Sequence, residues 1–118
     1  MKFILPLIVT VTAAAIAYGV DLPKMFGAHP WWSQKAVLIG APIGIVLAAG
    51  ASLLNLSHIT RSIAFILLFA AAFGIAKYGQ TQFAASYAED ALAGKLWYFG
   101  WMGTAIMASA SVFAISNR

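Results

Sequence analysis

The chain has no cysteine, only three acidic residues, and no charged side chain inside any of its long apolar stretches. Without cysteine, it can form neither disulfides nor thiolate metal sites. Its seven Lys and Arg residues are scattered singly, which excludes the clustered basic face typical of nucleic-acid-binding proteins. Coupled transporters and proton relays normally place an ionisable group at mid-bilayer depth, so the missing charges argue against transport chemistry.

Catalytic patterns are also missing. The sequence contains no Ser/His/Asp arrangement, glycine-rich phosphate loop or metalloprotease signature. Glu89 and Asp90 are adjacent, so on a helix they would point about 100° apart and could not converge on one substrate atom. We therefore predict that the protein is not an enzyme. No cofactor is indicated, although an apolar one (lipid, quinone, carotenoid or chlorophyll) would suit walls of Ala, Leu, Phe and Trp.

Apolar residues make up 63% of the 118 residues and charged residues only 8%. Apolar stretches of about 18 residues are long enough to cross a bilayer as helices. We expect an all-α integral membrane protein with a single domain over residues 1–118. The four predicted transmembrane helices cover residues 3–20, 36–56, 62–78 and 97–116. The first stretch also has a small-x-small pattern typical of signal peptides, but we interpret it as an uncleaved helix.

Two connections bear on how these helices are arranged. The alanine-rich segment 81–93 lacks proline and predicts a helical extension or an interfacial helix between helices three and four, stopped by Gly94. The link between helices two and three is short and polar, so these two helices are expected to be antiparallel neighbours. Residues 21–35 contain two prolines and predict a loop at the membrane surface.

Small residues recur every four positions on two predicted helices, which keeps them on one face. In lipid, close backbone approach across such faces supplies much of the attraction between helices. The predicted helix-packing residues are Gly40, Gly44, Ala48 and Ser52 on helix two, and Gly100, Thr104 and Ala108 on helix four. Helix three offers Ala70 and Gly74. Packing within the chain is the simplest interpretation of any one stripe, but three stripes together favour at least one external partner.

Aromatic and basic residues near the helix ends predict depth and orientation. Aromatic belts anchor membrane proteins at the head groups, and cytoplasmic ends carry an excess of Lys and Arg. The predicted interfacial anchors are Trp31, Trp32, Trp97, Tyr98 and Trp101. The predicted topology-setting cations are Lys2, Arg61 and Arg118. The count of Lys and Arg does not decide the orientation, but Lys2 and Arg61 lie close to predicted helix ends and the terminal side carries no acid. We therefore expect both termini on the cytoplasmic side of the cell (inner) membrane.

His58 and Arg61 could form a phosphate clamp, or a haem ligand beside a propionate-binding arginine. A polar turn with a topology-setting arginine is the preferred interpretation, because transmembrane haem usually needs histidines at depth. The sequence as a whole favours a non-catalytic membrane subunit that stabilises or assembles a larger complex. Its partners would be the lipid bilayer and other membrane subunits or further copies of itself, with no nucleic acid. The alternatives are an oligomeric pore or carrier, with Thr104, Ser111 and Ser52 as its polar path, and a self-assembling filament subunit.

Overall fold

The computed structural model describes residues 3–118, and every regular element in that range is an α-helix. The helices are α1 Ile4–Gly19, α2 Leu22–Met25, α3 Ser33–Ala51, α4 His58–Ala85 and α5 Ala91–Ser116. The expected all-helical class is confirmed. Three helices, α3, α4 and α5, are long and apolar enough to cross a membrane, whereas the 16-residue α1 is shorter. The number of membrane-length helices among the described residues is thus three rather than four.

The segment 81–93 does not form a separate surface helix. Residues 81–85 continue α4, and residues 91–93 are the first turn of α5, so Gly94 lies inside a helix instead of ending one. The break falls at 86–90, where Tyr87 and Ala88 have φ of 56° and 65°, a left-handed conformation that does not continue a helix. Asp90 then caps α5, because its carboxylate accepts a hydrogen bond from the Ala93 N–H at 3.0 Å.

Helix α5 is the centre of the bundle. Both α3 and α4 pack along it, α1 packs less extensively against α3 and α5, and α3 and α4 hardly touch each other. The expectation that helices two and three (α3 and α4) are neighbours was therefore wrong. The arrangement depends on glycines at the helix contacts, where any larger residue would collide with the neighbouring helix. A Cβ on Gly44 would lie 2.7 Å from Ser109 Cβ, and a Cβ on Gly100 would lie 2.7 Å from Ala76 Cα. The α5 backbone thus approaches α3 and α4 closely on two different faces.

Two apolar clusters mark the two ends of the bundle. At one end, Phe113 of α5 packs with Ala48 and with Phe3, whose ring lies 5.7 Å from that of Phe113. At the other end, Trp101 packs with Ala28 and Ala76. The start of α1 and the end of α5 therefore lie together. We call the end of the bundle with the first cluster the terminal end. We call the opposite end, formed by the 20–32 loop and the α4–α5 turn, the loop end; the second cluster lies there.

We expect Gly44→Leu to destabilise the fold and Gly50→Leu to leave it nearly unchanged. Both glycines lie on α3, but a side chain at Gly44 would collide with the α5 backbone, whereas nothing lies within 4 Å of a Cβ at Gly50. Overpacking of this kind typically costs about 1–3 kcal/mol. The measurement is thermal unfolding of both variants in one detergent. Equal midpoints for the two variants would mean that α3 does not pack on α5 through this face.

Candidate functional site

An elongated cavity of about 450 Å³ lies between α1 and α4, with α5 as its floor and α3 and α2 completing its walls. On α5 the lining runs from Trp101 to Val112, a length of about 17 Å at 1.5 Å per residue. Pro23 and Phe26 line its loop end. Since α1 and α4 make almost no contact with each other, the cavity opens between these two helices.

The cavity exists because the facing side chains are too small to fill the space. Helix α1 contributes Ala13, Ala14 and Ala17, and α5 opposes them with Ala105 and Ala108. Because the cavity opens between α1 and α4, a molecule from the surrounding medium can enter it sideways. The alanines recur on one face of α1, and this is the one sequence signal that could have pointed to the cavity.

The hydroxyl groups of three cavity-lining side chains are bonded within the protein. The hydroxyl of Thr10 donates to Pro6 O at 2.7 Å, that of Thr104 to Gly100 O at 2.7 Å, and that of Ser109 to Ala41 O at 2.8 Å. The remaining lining consists of Ala, Val, Leu, Pro, Phe and Trp side chains. A buried water needs two to four polar partners, so this lining favours hydrocarbon over water.

The loop end of the cavity is held by two side-chain donors on neighbouring carbonyls. The Lys77 ammonium of α4 donates to Phe26 O, and the Trp97 indole N–H of α5 donates to Gly27 O at 2.9 Å. Gly27 has φ of 110°, and a Cβ there would collide with the Lys77 and Gln80 side chains. Sequence reasoning missed the role of Lys77, because its partner is a backbone carbonyl that carries no signal in the sequence.

Four of the five predicted anchors form an aromatic cluster at the loop end. Three of them surround His29, and the fourth packs on one of these three. The rings of Trp31, Trp32 and Trp97 lie 5.2–6.1 Å from the imidazole, and Tyr98 lies 5.1 Å from Trp32. Trp31 is 90% exposed, and its position among head groups stays a prediction. The Trp31 N–H donates to His29 Nδ1 at 3.1 Å, so this ring nitrogen already has a partner within the chain.

Trp101, the fifth predicted anchor, lies inside the bundle. It is 4% exposed, packs edge-on against Phe73 of α4 with ring centroids 5.7 Å apart, and lines the cavity. Its indole Nε1 is buried and has no hydrogen-bond partner in the described part of the chain. An edge-on ring contact suits an indole in this apolar setting.

His58 and Arg61 bind the end of α5. His58 Nε2 donates to Ile115 O at 2.9 Å, and the Arg61 guanidinium donates to Leu56 O at 3.0 Å and Asn117 O at 3.1 Å. Side-chain donors at a helix C-terminus satisfy its free carbonyls, and the positive charge of Arg61 also opposes the helix dipole. These contacts favour the structural interpretation of the pair over a phosphate or haem site. Arg118 is exposed beside them, and Lys2 lies outside the described residues.

The small-residue stripes predicted for helix packing mostly face the interior. Gly40, Gly44 and Ala48 are buried against α5, and Gly100 meets α4 at Ala76. Ala108 lines the cavity instead of a helix contact. Ser52 is buried at the end of α3, and its hydroxyl donates to Ala49 O at 2.6 Å. By contrast, Ala70 and Gly74 on α4 are exposed, and nothing lies within 4 Å of a Cβ at Gly74.

Comparisons with protein-family models, with curated proteins and with solved structures give no match. The function must therefore be argued from the residues of this chain.

We expect Trp97→Phe to loosen the 22–32 loop, because the phenyl ring cannot donate to Gly27 O and leaves that carbonyl unpaired, a loss of about 1 kcal/mol. Trp31→Phe is the matched control, since Trp31 is almost fully exposed. The measurement is amide hydrogen exchange of residues 22–32 in membranes. Exchange that is equally fast in both variants would mean that the Trp97 bond does not hold the loop.

Proposed function

We propose that the protein is a small, non-catalytic multi-pass subunit that stabilises or assembles a larger membrane complex, with α4 as its contact helix. The observation that carries the proposal is the exposure of α4. In an 18-residue apolar stretch of α4, only 11% of the residues are buried within the chain, whereas 50% are buried in the corresponding stretch of α5. A membrane-length helix with one neighbour has most of its surface left for lipid or for another subunit.

One face of α4 suits a second transmembrane helix. Ile59, Ile63, Ala70 and Gly74 are exposed and follow each other at helical spacing. The large residues lie toward the terminal end, and the small ones leave room for a close helix crossing farther along. Small residues at such crossings let backbones approach, which is the main source of helix association in lipid. The partner is thus a transmembrane helix of another subunit or of a second copy.

The internal hydrogen bonding supports this role over a pore. The hydroxyls of Thr104, Ser111 and Ser52, the polar path that a pore would need, donate to carbonyls of their own helices at 2.6–2.7 Å. Hydroxyls bonded in this way are satisfied within their own helices and need no pore to explain them. A pore formed between copies of the chain would also need polar side chains on α4, whose exposed face is apolar.

We also propose that α1 is a fourth crossing, with the termini in the cytoplasm and the protein in the cell (inner) membrane. Helix α1 runs along the bundle from end to end: Gln34 Nε2 of α3 donates to Tyr18 O at 2.9 Å at one end, and Phe3 meets Phe113 of α5 at the other. Its 16 residues span about 24 Å, which a locally thinned bilayer accommodates. A reporter fused after Arg118 that is active only outside the cytoplasm would contradict this orientation.

The test of the subunit role compares two variants, Gly74→Leu and Gly50→Leu, each purified in mild detergent. The measurement is the amount of partner chain that copurifies. We expect Gly74→Leu to reduce recovery of the copurified membrane chain several-fold, because it fills the small face of α4. Gly50→Leu, which adds the same side chain to an equally open position on α3, should leave recovery unchanged. Unchanged recovery with both variants would remove α4 as the contact helix. A chain that purifies alone, without a partner or a second copy, would contradict the subunit role itself.

A further inference from the structure

The cavity between α1 and α4 has the dimensions and chemistry of a slot for one hydrocarbon chain. Its volume of about 450 Å³ over a length of about 17 Å gives a mean cross-section of about 27 Å². An elongated space lined almost wholly by apolar side chains suits a flexible hydrocarbon chain. The hydroxyls of Thr10, Thr104 and Ser109 already donate to backbone carbonyls, so the slot offers no hydroxyl donor to a polar ligand inside it.

A cation lies at the loop end of this slot. Lys77 is one turn beyond Phe73, which lines the slot, and its Nζ lies 5.5 Å from the Phe73 ring centroid. The ammonium donates to Phe26 O, also at the rim, and more weakly to Gln80 Oε1 at 3.5 Å. These are its interactions in the described structure, and none is with a carboxylate. An ammonium has three N–H donors, so one remains for an acceptor from outside the chain.

The depth of Lys77 matches a lipid head group. It lies 19 residues after His58, the first residue of α4, which corresponds to about 29 Å along the helix. The hydrocarbon core of a bilayer is about 30 Å thick, so a helix that enters at His58 leaves the core near Lys77. Lys24 follows Pro23 at the same rim and adds a second, exposed cation, while Asp21 is the one acid close to the lining in sequence.

We propose that the cavity binds one acyl chain of an anionic phospholipid, with the lipid phosphate at Lys77. The acyl chain enters sideways between α1 and α4 and fills the space that the alanines of α1 and α5 leave. The phosphate takes the free donor of the Lys77 ammonium and completes its charge balance. This site does not depend on the subunit role, because it lies between helices of one chain and not on the exposed face of α4.

The test uses the full chain, stripped of lipid in detergent and then equilibrated with vesicles of phosphatidylglycerol and phosphatidylcholine in equal amounts. Mass spectrometry measures the phospholipid retained per chain after repurification. We expect about one retained phosphatidylglycerol, enriched about fivefold over phosphatidylcholine, which is the preference that one lysine near an anionic lipid confers. No retained phospholipid, or a tightly held isoprenoid quinone in the unstripped protein, would overturn the proposal.

Two kinds of variant separate the slot from the head-group contact. Ala108→Phe on α5 and Ala13→Leu on α1 each fill the slot, and each should lower retention of both lipids, whereas Ala71→Phe on the exposed side of α4 should not. Lys77→Gln should keep a retained lipid but abolish the preference, and Lys77→Arg should preserve it. If neither slot-filling variant lowers retention, the cavity is not the binding site. If Lys77→Gln keeps the fivefold preference, Lys77 does not bind the phosphate.

Discussion

The close approach of the α5 backbone to two other helices is the contact on which the rest of the structure depends. Gly40 and Gly44 of α3 meet α5 on one face, while Gly79 of α4 and Gly100 of α5 itself bring α4 onto another. In lipid there is no hydrophobic force between helices, so these dense backbone contacts supply the attraction. With α5 shared in this way, α3 and α4 are kept apart, and α4 has most of its surface free. The small side chains of α1 then leave a cavity instead of a third tight contact.

Side-chain donors on backbone carbonyls close both ends of this bundle. Lys77 and Trp97 bind the loop carbonyls of Phe26 and Gly27, and His58 and Arg61 bind the carbonyls that α5 leaves free at its end. Carbonyls that a helix end or a loop leaves without a backbone partner are satisfied by such side-chain donors. His58 and Arg61, which suggest a binding site in the sequence, therefore stabilise the end of α5 through hydrogen bonds. Lys77 differs from the others, because it keeps a free donor beside an apolar cavity.

The apolar stretches were sufficient to predict an all-helical membrane protein, because bilayer thickness and backbone hydrogen bonding leave few alternatives. The end of α4 was predicted less well: Lys77, Gln80 and Gln82 interrupt the apolar pattern, although the alanines around them carry the helix on to Ala85. The cavity could not be predicted, since it arises from the relation between α1 and α5 and not from either sequence alone. The hydrogen bond of Lys77 could not be predicted either, because its acceptor is a backbone carbonyl, which every residue carries.

The packing of α4 on α5 within one chain is the central claim, and cysteine cross-linking tests it directly because the chain has no cysteine of its own. A Cβ on Gly103 would lie 3.4 Å from Ala72 Cβ, close to disulfide geometry. The double variant A72C/G103C should form an intramolecular disulfide on oxidation in membranes and lose reactivity toward maleimides. The pair A71C/G103C, with Ala71 turned about 100° away, should not. Full maleimide reactivity of A72C/G103C, or disulfide-linked dimers in place of the internal bond, would contradict the arrangement described here.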